Sequence, residues 1–73
     1  MTRGRSLKPR HVEKILLKNG FVIKRQTGSH RIFYNSDIDA IVVVPVHTKD
    51  IPPGTLGSVI KQSKLSKEKF FRK

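Results

Sequence analysis

Apolar residues recur at two different periods along this 73-residue chain, and the change of period divides it. In LKPRHVEKILLKNGF (residues 7–21), Val12, Ile15 and Leu16 fall at helical spacing. Pro9 suits a first helical turn, and Gly20 after Asn19 offers a left-handed stop. From Phe21 the period shortens. FVIKRQ (21–26) and HRIFY (30–34) read as strands rich in aromatic and β-branched residues, with TGS between them as a turn. NSDID (35–39) carries turn chemistry, because Asn, Ser and Asp side chains bond to nearby backbone. AIVVV (40–44) predicts a third strand, and Pro45 ends its pairing. That strand is apolar throughout rather than alternating, so it is either covered on both faces or awaits a partner.

VHTKD reads as a connecting loop, after which Pro52-Pro53 introduces a second helix with Leu56, Val59 and Ile60 as its apolar face. In LSKEKFFRK (65–73), Ser66 is a candidate N-cap for a short final turn, and Phe70 and Phe71 can pack back on the body. The expectation is one α+β domain over residues 1–73, ordered α-β-β-β-α. It has a flexible basic lead-in at 1–7 and a short C-terminal helical extension at 65–73. Three hairpin-linked strands form an antiparallel sheet, and burying one core requires the helices on one of its faces.

Composition narrows the partners. Sixteen Lys and Arg against five acids give +11, spread along the whole chain. A field of that sign favours polyanions, and a folded basic domain most often meets nucleic acid. No strongly basic helix with a large apolar face points to an anionic membrane instead. There is no cysteine, so no disulfide or Cys-based zinc site supports the fold, and an oxidising compartment is not indicated. MTRGRSLKPR lacks the apolar run of a signal peptide, and AIVVVPV is too short to span a bilayer. The expectation is a soluble cytoplasmic protein that binds no membrane.

The candidate chemistry is proton transfer. Glu13, Asp37, Asp39, Asp50 and Glu68 form no convincing carboxylate cluster for magnesium, and His11, His30 and His47 have no zinc spacing. No metal or cofactor is expected. RNA carries its own nucleophile, the 2′-hydroxyl, beside each phosphate. An enzyme need only move protons there and stabilise the crowded phosphorane. Histidine suits the first task because its ordinary pKa lies near neutrality. Arginine or lysine suits the second, as a cation aimed at developing charge.

His30 has Lys24, Arg25 and Arg31 nearby in sequence, while Gly28 and Ser29 leave its turn open to a bulky backbone. The competing reading is an inert surface histidine. Strand parity leaves its side open: His30, Ile32 and Tyr34 share one face, opposite Arg31 and Phe33. If Ile32 and Tyr34 face the helices, His30 emerges at the rim of the core; if Phe33 does, His30 lies on the open sheet face. His47 reads as a loop residue, with phosphate contact or a second proton carrier as its functional alternative. His11, Lys14 and Lys18 recur at i, i+3 and i+7 as a cationic ridge, either solvated or in contact with RNA.

These residues together resemble a known family. GF followed by RQTGSH, a hydrophobic strand ending in VPVH, and then PPGTLGSVIKQSKLSKEKF are similar to the HicA (YcfA-like) toxins, over about Leu7 to Phe70. The resemblance implies a double-stranded-RNA-binding-domain-like fold. It also implies a toxin of a toxin–antitoxin pair, an mRNA interferase cleaving mRNA with the histidine of its G-S-H motif, which is His30 here. Gly28 and Ser29 belong to the same motif, and a HicB-type antitoxin is the implied protein partner. Many members read QAGL after the second helix where this chain reads QSKL (62–65), without the helix-stopping glycine. An acidic protein is suited to cover the apolar strand Ala40–Val44 and its cationic surroundings, with self-association through that strand as the alternative. A module that holds double-stranded RNA without cutting it is the competing function.

Overall fold

The computed structural model describes residues 6–71. Most of the expected lead-in (1–5) and the end of the C-terminal extension (72–73) lie outside the described residues. The elements are α1 (Pro9–Lys18), β1 (Val22–Thr27), β2 (His30–Asn35), β3 (Ala40–Pro45), α2 (Pro53–Ser63) and α3 (Glu68–Phe71). This is the expected α-β-β-β-α order with a helical turn added. The strands form an antiparallel sheet in the order β1-β2-β3.

Helix α1 stops where the sequence indicates, by hydrogen bonding as well as by glycine. The Phe21 N–H donates to the Leu16 carbonyl at 3.0 Å across Gly20, whose φ is +91°. This is the closing bond of a Schellman motif, and the two residues it joins are both buried. Phe21 therefore belongs to the cap and the core, and β1 begins one residue later than expected.

Side-chain alternation resolves the question of faces. Phe33, Ala40, Val42 and Val44 point into a core shared with Val12 and Leu16 of α1, Leu56 and Val59 of α2, and Phe70 of α3. The apolar run of β3 is therefore covered on one face only: Ile41 and Val43 lie on the other, 51% and 37% exposed. The outer edge of β3 is partly occupied as well, because the Val43 N–H donates to the Gln62 side chain of α2 at 3.1 Å.

Departures at the ends are local. Leu7 is not part of a flexible lead-in, since its carbonyl accepts the Ile51 N–H at 2.8 Å and its side chain packs on the core. Lys64 replaces the absent glycine at the end of α2 by adopting φ +61° itself. Its ammonium donates to the carbonyls of Ile38 and Asp39, at 3.0 and 3.4 Å, which holds the β2–β3 turn against the helix end. Ser66 contributes its carbonyl, to the Lys69 N–H, rather than a side-chain cap. No helix among the described residues is long and apolar enough to cross a membrane.

Candidate active site

His30 is the first residue of β2 and follows a two-residue hairpin loop, Gly28-Ser29. Gly28 has φ +52° and Ser29 does not share the positive sign, the pattern of a II′ turn, which demands glycine at its first central position. The Ser29 carbonyl accepts the Val46 N–H at 2.8 Å, so the turn is tied to the strand beyond it as well as to its own hairpin. His30 stands opposite Thr27 on one side and Pro45 on the other. Because Phe33 faces the core, His30 lies on the open face with Ile32 and Tyr34. It is exposed, and its imidazole makes no hydrogen bond with any described residue.

A bulge in β1 brings two cations to the same face. Val22 and Ile23 pair with Tyr34 and Phe33, whereas Arg25 pairs with Ile32, leaving Lys24 as the extra residue. Arg25 therefore shares the face of Ile32, diagonal to His30. Lys24 places its ammonium 4.9 Å from the centre of the Tyr34 ring, a cation–π contact on that face. In a regular strand consecutive side chains point to opposite faces; the bulge removes that restriction.

The start of α2 comes past the β3 edge to meet His30. A shallow cleft of about 400 Å³ is lined by His30, Val43, Pro45, Thr48, Pro52 and Thr55. Its wall offers an imidazole and two threonine hydroxyls among apolar surfaces, which suits a group that must be oriented and given or relieved of a proton. Thr48 and Thr55 escaped the sequence reading, although Thr55 sits one turn into a helix that follows the VPVH segment.

Other sequence candidates lie elsewhere. Arg31 projects to the helix side of the sheet, where its Nη1 donates to both Glu13 carboxylate oxygens, at 3.0 and 2.9 Å, and its Nε donates to Gln26 at 3.0 Å. It is not brought beside the His30 imidazole. His11 donates from Nε2 to the Phe70 carbonyl at 3.1 Å and so ties α1 to α3. Lys14 and Lys18 are exposed on α1, across the sheet from His30. His47 is exposed in the loop after β3 and is not among the cleft residues. Among the described residues no three His, Asp or Glu side chains converge as a metal-ligand set.

Comparison with known proteins adds one finding. The model of a family described as "HicA toxin of bacterial toxin-antitoxin" matches residues 9–65. That span contains the hairpin turn, the whole sheet and the cleft. No curated protein matches the chain.

Proposed function

The chain belongs to the HicA family of toxins of toxin–antitoxin systems, and from that premise we propose that it is an endoribonuclease that cleaves mRNA in the cytoplasm without a metal. The 2′-hydroxyl attacks phosphorus as its proton passes to the His30 imidazole, and the imidazolium returns a proton to the 5′-oxygen as the P–O5′ bond breaks, leaving a 2′,3′-cyclic phosphate. Arg25, diagonal to His30 on the same face, supplies positive charge for the crowded phosphorane, and Lys24 extends that charge along the strand. Arg31 is left out of this role because Glu13 and Gln26 already hold it on the other side of the sheet.

The observation that carries the proposal is the state of His30: an exposed imidazole with no hydrogen-bond partner among the described residues, on the wall of a cleft with two hydroxyls, in a strongly basic domain. His11 shows the contrast, since its ring is engaged in holding two helices together. The neutralising partner is an acidic protein of the HicB type. It covers the open face, which carries exposed Val22, Ile41 and Val43 as well as Arg25 and His30. Covering that face hides the imidazole and the apolar surface together.

RNA cleavage in chelator, wild type beside His30→Ala, tests the reading. The wild type should cut RNA and the variant should bind it without cutting. Equal cutting by both removes His30 from the mechanism. Intact RNA with both, and binding that weakens steeply in salt, identifies a module that holds RNA without chemistry.

A further inference from the structure

A second hollow, also about 400 Å³, lies beside the His30 cleft and is walled by cations: Lys8 and Arg10 at the start of α1, Arg31 beneath, and Lys49 from the loop after β3. Thr48 lines both hollows, so the two adjoin at that residue. We propose that this hollow binds a second backbone phosphate of the RNA strand whose scissile phosphate occupies the cleft. The identity of the polymer rests on the ribonuclease reading; the anion site does not.

Charge accounting supports an anion. Glu13 is the single acid lining the hollow, and both its carboxylate oxygens already accept hydrogen bonds from Arg31. That pair cancels, leaving Lys8, Arg10 and Lys49. Lys8 has Asp50 at 3.6 Å, but the side chains are 69% and 48% exposed, and such pairs hold weakly. Arg10 and Lys49 make no hydrogen bond or ion pair with any described residue. Cations gathered around one concavity repel one another until an anion enters.

Arg31 supplies the geometry. Its Nε is held by Gln26 and its Nη1 by Glu13, which fixes the guanidinium plane and leaves Nη2 with no acceptor among the described residues. A guanidinium fixed on two edges with donors left over is preorganised for phosphate oxygens, with less rotamer freedom to lose on binding. Arg10 and Lys49 then close on the anion from two separate segments. A strand bound in both hollows crosses Thr48, which sets the direction in which it passes His30.

The test uses a 2′-O-methyl RNA, which lacks the nucleophile and is not cut, with affinity measured across a salt series. For Arg10→Ala/Lys49→Ala the dissociation constant should rise about tenfold or more at low salt. The slope of log affinity against log salt should shrink by about 0.7, the value for one single-strand phosphate contact. In cleavage assays KM should rise by a similar factor with kcat little changed. Lys61→Ala/Lys69→Ala removes the same charge from exposed positions outside both hollows and should move affinity less than about twofold. An unchanged affinity for the first double variant overturns the site, as an acidic protein occupying the hollow would require. An equal loss in the second overturns it too, because charge alone would then account for the effect. RNA that is bound in this site-dependent way but never cut leaves the site standing and removes the ribonuclease reading.

Discussion

The two ends of the sheet use similar parts to opposite effect. Each has a glycine with positive φ beside a strand end. At one end Gly20 is crowded: a Cβ there would lie 3.0 Å from the Asn35 amide nitrogen. Asn35 is buried and engaged through both polar atoms of its amide, donating to the Asn19 carbonyl at 3.1 Å and accepting the Asp37 N–H at 2.9 Å. Asn19 and Lys64 likewise bond to backbone carbonyls there. At the other end Gly28 has nothing within 4 Å of its missing Cβ. The backbone there is secured by the Ser29–Val46 bond and the Arg31–Glu13 pair, while His30, Arg10 and Lys49 make no side-chain hydrogen bond with any described residue. One end commits its polar side chains to closing the fold; the other closes with one part-buried ion pair and backbone bonds and leaves His30, Arg10 and Lys49 for a ligand.

Substitutions at the two ends should therefore separate activity from stability. The largest effect is expected for His30→Ala, a loss of about 10²–10⁴ in RNA cleavage, the range for a lost proton-transfer group, with thermal unfolding almost unmoved. Asn35→Ala should do the reverse. It removes two part-buried bonds to the backbone and should cost about 1–2 kcal/mol in denaturant unfolding, with cleavage per folded molecule unchanged. Gly20→Ala should cost about 1–2 kcal/mol from the left-handed backbone, with an added loss if the Asn35 amide is displaced. The smallest effect is a gain. Lys64→Gly relieves the φ of +61° but gives up two exposed ammonium bonds, for a net stabilisation below about 1 kcal/mol by the same unfolding assay. Wild-type stability for Asn35→Ala together with impaired cleavage would break the comparison between the ends.

The sequence made the elements legible because their signals are local. Helical spacing in Val12 and Leu16, the Gly-Ser hairpin loop and the paired prolines before α2 each operate within a few residues. The side of the sheet on which His30 lies was not local information. It depends on whether Phe33 or its neighbours enter the core, and Phe33 does so in a cluster that gathers residues from all three helices. For the same reason Arg31 was grouped with His30, its neighbour in the chain, although strand alternation sends it to Glu13, 18 residues away. The cationic ridge lost His11 to a bond with Phe70, 59 residues distant. Thr48, Thr55, Arg10 and Lys49 came together only through the meeting of α1, α2 and the loop between β3 and α2, which no spacing rule encodes.

The bulge at Lys24 has a consequence for the crowded interior of a cell. β1 is an edge strand with all six residues exposed, and a straight exposed edge is a template on which further copies can stack into a fibre. Here the extra residue puts the ladder out of step halfway along, and two copies approaching edge to edge would bring Lys24 and Arg25 against their own counterparts. The bulge and the two cations thus work against edge-to-edge pairing of β1, while the exposed Val22, Ile41 and Val43 lie on the face of the sheet rather than on that edge.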